Sequence, residues 1–411
     1  MSFLNVPKLR FPEFTDDWEY KQFNELFEFI QTNSLSRANL NYENGKVRNI
    51  HYGDIHTKFP TILDCEKFEI PFINPDVNLE KIKDESFCKN GDIVIADASE
   101  DYDDIGKAIE LKNVNNTKLL AGLHTFLARD QNGFTIEGYR GYMLLNNNFK
   151  LQIKKIATGI SVLGISKTNL GKLNINIPSI QEQDKIASFL SQVDSKIEKL
   201  EKKHELWETY KKGMMQQIFS QKLRFKDDDG DDYPNWVLKR LGDISDIKTG
   251  NKDLKDKVDN GEYPFFVRSN NIEKINSYSY DGEAILIPGD GVNVGKIYHY
   301  INGKFDYHQR VYKISDFKEG THGKYIYYYL KKHFLKEALK NSLKGSVDSL
   351  RLPTVKKMQI NLPTSPEQTR IVNFLSAINK KIETINKVLE INREFKKGLL
   401  QQMFPSDKKA D

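Results

Sequence analysis

Two stretches of this chain place apolar side chains at alternating steps of four and three residues. The first runs Ile186, Leu190, Val193, Ile197, Leu200 and continues in phase through His204, Trp207, Lys211, Met214 and Ile218. The second runs Ile371, Leu375, Ile378, Ile382, Ile385, Leu389, then Asn392, Lys396, Leu399 and Met403. A heptad seam held for about five heptads predicts a long helix packed against another helix. Roughly 38 helical residues extend about 57 Å at 1.5 Å each. Neither helix can bury such a stripe alone, so each is the natural partner of the other. The chain between them must return, which makes the pair antiparallel. Ser179 with Glu182, and Thr364 with Glu367, have the spacing of capping boxes at the two helix starts. Pro366 then falls in the first turn, where its missing N–H costs little.

The two stretches are copies. Residues 178–219 and 363–404 align without a gap, with 18 of 42 positions identical. A shorter echo opens each half, LRFPEFTDDWEYKQFNELF from Leu9 and LRFKDDDGDDYPNWVLKRLGDI from Leu223. The chain is a tandem duplication with a pseudo-twofold internal repeat, each copy a globular segment followed by a long helix. The expected segments are a globular domain over 1–180, a helix over 181–220, a second globular domain over 221–362, a second helix over 363–405 and a tail, 406–411. Lys211 and Lys396 interrupt both seams at one matching point, just before Gly213 and Gly398. The helix tips beyond them are expected to leave the coiled coil. Gln216, Gln217 and Phe219 recur there as Gln401, Gln402 and Phe404, which points to contact with something else.

The globular halves are expected to be α+β. Strand-like runs at 91–96 (GDIVIA) and 284–288 (AILIP) each end in a polar loop containing Gly or Asp. Matching segments follow at 106–109 (GKAI) and 295–298 (GKIY), and each half closes on a short strand, INIP at 175–178 and INLP at 360–363. The remainder of each half diverges. A shared frame with different loops suits two binding modules of different specificity.

Composition changes the picture only by exclusion. No basic-then-apolar leader opens the chain and no apolar run approaches a membrane span, so a cytoplasmic protein is expected. Cys65 and Cys88 are expected to be buried free thiols. The net charge of +5 divides unevenly: residues 1–180 carry 21 basic against 24 acidic side chains, and residues 221–362 carry 25 against 20. Charge alone does not nominate a nucleic-acid binder.

Catalytic signatures are missing. The segment 289–296 (GDGVNVGK) fails the spacing of a phosphate loop and lacks the following Ser or Thr. The histidines offer no zinc pattern, and no nucleophile elbow is present. What recurs is the residue chemistry of nucleic-acid contacts. Arg268, Ser269 and Asn270 follow one strand-like run, and Arg310 precedes another. Arg48 and Asn49 hold the first of those places in the first half, and His124 lies near the second. Arg and Asn hydrogen-bond guanine and adenine edges bidentately, while Lys, Ser and backbone N–H groups hold phosphates. On that chemistry the contact candidates also include Ser99, Lys107, Ser161, Asp290, Lys296, Lys344 and Ser346.

The pattern I-x-(I/L)-P, then Glu-Gln, Ile and Phe-Leu, occurs at 175–190 and again at 360–375, with Trp18 and Trp236 in the opening motifs. In these residues the chain resembles the specificity (S) subunit of type I restriction–modification systems. The resemblance implies two target recognition domains reading the halves of a split, asymmetric DNA site, separated by two conserved helices. It implies docking of two methyltransferase (M) subunits and association with restriction (R) subunits. S-adenosylmethionine, ATP and Mg are implied for those other subunits and none for this non-catalytic chain. The positions matching the spacer-helix pattern are Glu182, Gln183, Phe189, Leu190, Glu367, Gln368, Phe374 and Leu375; with the tip residues above, they are the expected subunit interface. The alternative is a coiled-coil scaffold whose two heads bind proteins rather than DNA.

Overall fold

The computed structural model describes residues 6–114, 117–339 and 349–405. The chain divides into two compact units, Met1–Glu201 with Val388–Asp411, and Lys202–Lys387. Each unit holds one globular head and part of both long helices, so the division falls inside the helices rather than at their ends. The helices span Ile180–Phe219 and Ser365–Gln402. No helix among the described residues is long and apolar enough to cross a membrane.

Within the first unit, Asp194 pairs with Lys396 at 2.5 Å and Glu201 with Arg393 at 2.7 Å. Partner numbers fall as residue numbers rise, which makes the pair antiparallel, as expected from the return of the chain between the two helices. The second unit has the same sense. Its core packs the late residues Met215, Ile218 and Phe219 of the first helix with the early residues Ile371, Leu375 and Ile378 of the second. The helices do not unravel at the seam-breaking lysines. Lys396 stays in register because Asp194 takes its charge, and Tyr142 Oη donates to the same carboxylate at 2.8 Å. Lys211 pairs with Glu208 at 3.6 Å, and both helices run on through Gly213 and Gly398.

The two heads share one frame. In head 1 the central sheet has the order Glu28–Ile30, Thr125–Arg129, Ile93–Ala96, Ala108–Lys112, Ile62–Asp64. In head 2 the order is Asp246–Thr249, Val311–Ser315, Tyr280–Pro288, His299–Tyr307, Tyr263–Phe266 and then Ile272–Ile275. The first four strands pair antiparallel in both heads, and the fifth joins parallel in both. Differences lie outside this frame. Head 2 adds a sixth strand, whereas head 1 adds a separate four-stranded sheet ordered Leu119–Ala121, Arg48–Ile50, Phe72–Ile73, Leu40–Asn41. Cys65 and Cys88 are free and buried in head 1, and burial pushes the Cys65 thiol up to about 12.

A duplicated clasp fixes each head to its helices. The opening strand Glu19–Gln22 pairs with Asn174–Ile177, and Val237–Arg240 pairs with Gln359–Leu362. Arg10 donates through Nε and Nη2 to the two oxygens of Glu182 at 2.8 and 2.7 Å; Arg224 does the same to Glu367 at 3.0 and 2.7 Å. Phe11 meets Phe189 edge-on at 5.8 Å, and Phe225 meets Phe374 at 5.6 Å. Gln183 donates to the carbonyls of Phe134 and Pro178 and accepts from Ile136 N; Gln368 donates to Gly320 and Pro363 and accepts from His322 N. Leu9 N donates to Gln402 O, and Leu223 N to Gln217 O. The end of each helix thus ties the segment that leads into a head in its own unit.

These contacts correct two expectations. The capping boxes do not close, because the arginines take both carboxylates. Ser179 Oγ accepts from Glu182 N at a long 3.4 Å, and Thr364 Oγ1 is buried with no partner among the described residues. The expected subunit interface is largely internal. Glu182, Gln183, Leu190, Phe219, Glu367, Gln368, Leu375 and Phe404 are all buried in this chain's own packing. Phe404 packs on Trp18 and Tyr139, and Phe219 on Tyr325, Tyr329 and His333. The tips do contact something beyond the coiled coil, and it is the head of their own unit. Phe189 and Phe374 are half-covered, while Gln216, Gln217, Gln401 and Gln402 keep exposed side chains.

Candidate nucleic-acid interface

In head 2 three sequence-nominated residues from three separate loops come together. The strand Tyr280–Pro288 runs into a loop pinned on both sides, by Gly289 N on Arg310 O at 2.8 Å and by Leu350 N on Gly289 O at 2.7 Å. Gly295 closes this loop at φ +72°, a backbone conformation that strains any residue with a Cβ, and that Cβ would lie 3.1 Å from Leu335 Cα. Asp290 is thereby set between two arginines. Its Oδ1 accepts from Arg268 Nη1 at 3.0 Å and its Oδ2 from Arg310 Nη1 at 3.1 Å. The carboxylate side chain is 15% exposed, whereas the two arginine side chains are 50% and 61% exposed. The cations therefore project outward from a covered anion. Two side chains not singled out from sequence hold the group. Asn293 donates to Arg268 O at 2.9 Å, and His308 Nδ1 accepts from Arg310 N at 2.9 Å. Burial first, then the Arg268 charge, hold the His308 pKa below its usual value, as an acceptor nitrogen requires. Asn270 and Lys296 are exposed, and Ser269 Oγ donates to Asn271 O at 3.1 Å.

Head 1 brings its candidates together around the short helix Tyr52–Thr57. Lys107 Nζ donates to His56 O at 2.8 Å, and the His56 ring lies 3.0 Å from Ala98 O. Tyr52 packs against His51, His56 and His124. His124 sits at φ +57° with Nδ1 3.2 Å from Asp97 Oδ1. Burial raises the Asp97 pKa, and His124 opposes that shift.

Two head 1 candidates are corrected. Asn49 is fully buried, and its Oδ1 accepts from Asn33 Nδ2 at 2.7 Å, so it has no edge to offer a ligand. Ser99 is buried too, and its hydroxyl bonds both the N–H and the C=O of Asp101. Arg48 is half-covered and lies over the Phe72 ring at 4.9 Å. Asn33 instead lines an open cleft of about 550 Å³ with Lys81, Lys83, His124 and Lys167. His124 was nominated from sequence; Asn33 and the lysines were not, because Lys81 and Lys83 lie in a divergent loop and Lys167 aligns with Leu352, so no repeated polar position marks them. Ser161 is exposed on a separate loop, and Lys344 and Ser346 lie outside the described residues.

The comparisons agree with this duplicated arrangement. A family model described as the type I restriction modification DNA specificity domain matches the chain twice, over residues 15–208 and 233–393. A putative type I restriction enzyme MjaX specificity subunit from Methanocaldococcus jannaschii is 26% identical over 429 residues, covering 96% of this chain and 95% of that protein. The type I restriction enzyme EcoDI specificity subunit of Escherichia coli is 26% identical over 170 residues, 40% of this chain and 37% of that protein. Among solved structures, the S subunit of a type I restriction–modification system from M. genitalium matches with a TM-score of 0.60 at 15% identity, covering 98% of this chain and 99% of its own. With two copies of the family domain spanning most of its length, the chain belongs to the type I restriction–modification DNA specificity family.

Proposed function

We propose that this chain is the sequence-reading, non-catalytic subunit of a type I restriction–modification complex, each head reading one half of a split, asymmetric DNA site. The observation that carries this is one five-strand frame built twice with unlike polar loops: Arg268, Asp290 and Arg310 in head 2, and His124 with nearby lysines in head 1. Identical frames give the same mode of docking, and unlike loops give different half-sites, so the site is asymmetric. The continuous helices set the spacing between half-sites.

In this reading the helices also dock two methyltransferase subunits, and restriction subunits join the full complex. Adenine methylation and ATP-dependent cleavage, with S-adenosylmethionine, ATP and Mg, belong to those partners. The seam residues are consumed internally, so docking falls to the outer helix faces. Val388, Ile391 and Phe395, spaced i, i+3 and i+7 on the second helix, are exposed apolar side chains there. Leu206 and Tyr210 on the first helix are exposed as well. Head 1 is slightly acidic overall, so the partners are expected to supply much of the phosphate attraction.

A mobility-shift assay on random-sequence duplexes, using the chain in complex with a methyltransferase subunit of such a system, tests the reading. Retention of duplexes sharing a split motif, weakening as salt rises, is expected. Failure to enrich any motif would move the protein-binding scaffold to the front.

A further inference from the structure

We infer that head 2 reads guanine: Arg268 and Arg310, both aimed by the carboxylate of Asp290, take the O6 and N7 acceptors of two G·C pairs in its half-site. This rests on the DNA-reading function proposed above and adds base identity to it. A guanidinium has five N–H donors in a planar fork. Asp290 engages Nη1 of each arginine, which restrains where both guanidiniums lie. It leaves the Nε and Nη2 edge of each without an acceptor among the described residues. That edge is the two-donor fork that matches guanine in the major groove, the commonest specific arginine contact.

The carboxylate decides between a base and a phosphate. An anionic phosphate brought to either arginine would lie close to the charge of Asp290, and the repulsion would offset much of the attraction. A guanine edge is neutral and suffers no such penalty. Two cations on one anion still leave an unbalanced positive charge, which favours an acceptor-rich partner. His308 adds no further charge, because its Nδ1 is a covered acceptor for Arg310 N. Two guanidiniums on the two oxygens of one carboxylate reach neighbouring base-pair steps, each about 3.4 Å along the axis. The two G·C pairs are therefore adjacent or one pair apart, on either strand.

The test is selection from randomised duplexes by the purified complex of this chain with its methyltransferase, run for wild type and three variants. The wild-type motif is expected to contain two such G·C pairs in one half. Arg268→Gln should erase the preference at one of them and Arg310→Gln at the other, each by roughly ten- to a hundredfold, with the other half-site unchanged. Asp290→Asn, which removes the orienting charge and keeps the shape, should weaken both preferences together and raise affinity for unrelated DNA. Neither half-site containing two such pairs would overturn the inference. So would arginine variants that weaken all DNA equally, the signature of phosphate contacts, or that lose both half-sites, the signature of a folding role. Absence of any wild-type motif would instead overturn the DNA-reading function itself, and the guanine assignment with it.

Discussion

Arg10 and Arg224 each donate two hydrogen bonds to a glutamate that is 1% or less exposed, and the two sites differ in one further donor. Glu367 also accepts from Trp236 Nε1 at 2.9 Å, whereas the equivalent Trp18 Nε1 is buried without a partner among the described residues. Removing one member of a buried ion pair costs about 3–5 kcal/mol, because the remaining charge stays buried. Arg10→Met should therefore destabilise its unit by that amount. Arg224→Met should cost less, by about 1 kcal/mol, because Glu367 keeps its tryptophan donor. Urea denaturation of the two variants checks this, and equal losses would contradict it. The pattern around Glu182 and Glu367 was legible in the sequence as a repeat, but its meaning was not. Repetition says that both copies do one job; it does not say whether the partner is another subunit or an arginine 172 residues away in the same chain. The signal was present in the LRF echo at Leu9 and Leu223, which had only to be joined to the Glu-Gln motif. Asn49 failed as a candidate for a related reason, since residue type says what an amide can bind and burial decides whether it is free to do so.

At the scale of elements, the helices were almost fully readable, because a heptad seam encodes both the element and its partner. The order of strands in the heads was not, since the fifth strand joins in parallel after a crossover that no local pattern marks. One strand carries a measurable consequence. Glu110, on Ala108–Lys112, is buried and accepts from the backbone N–H groups of Gly138 and Gly141. Burial raises its pKa to about 7, while the amides and Arg140 oppose the rise. A folded-state value above the unfolded one contributes stability that is complete below about 4.5 and is lost as pH rises through about 7. The loss amounts to roughly 3 kcal/mol. His51 runs the other way, its pKa lowered chiefly by burial, so its stability is lost as pH falls. Urea unfolding at pH 5 and pH 8 of wild type beside Glu110→Gln isolates the first effect. The variant should gain on wild type as pH rises, and a pH-independent difference would show that Glu110 is already ionised.

At the scale of the whole molecule, a duplicated frame suits a bipartite target. If the helices set the half-site spacing, one heptad added to both, after Glu201 and before Arg393, keeps the seam in phase and adds about 10.5 Å. That is close to three base pairs at 3.4 Å each, and the gap between half-sites should grow by that much. An unchanged gap in the selected motif would sink the ruler. The family was legible from the duplicated motifs; the reading residues were not, because the loops that differ between heads lack the repetition that marks the frame. The most direct test is modified-base sequencing of DNA from cells making this chain with a methyltransferase subunit of such a system, beside cells lacking only this chain. The account predicts a split, asymmetric motif with methyladenine on both strands that disappears with the chain. The same modification pattern in both strains would contradict it.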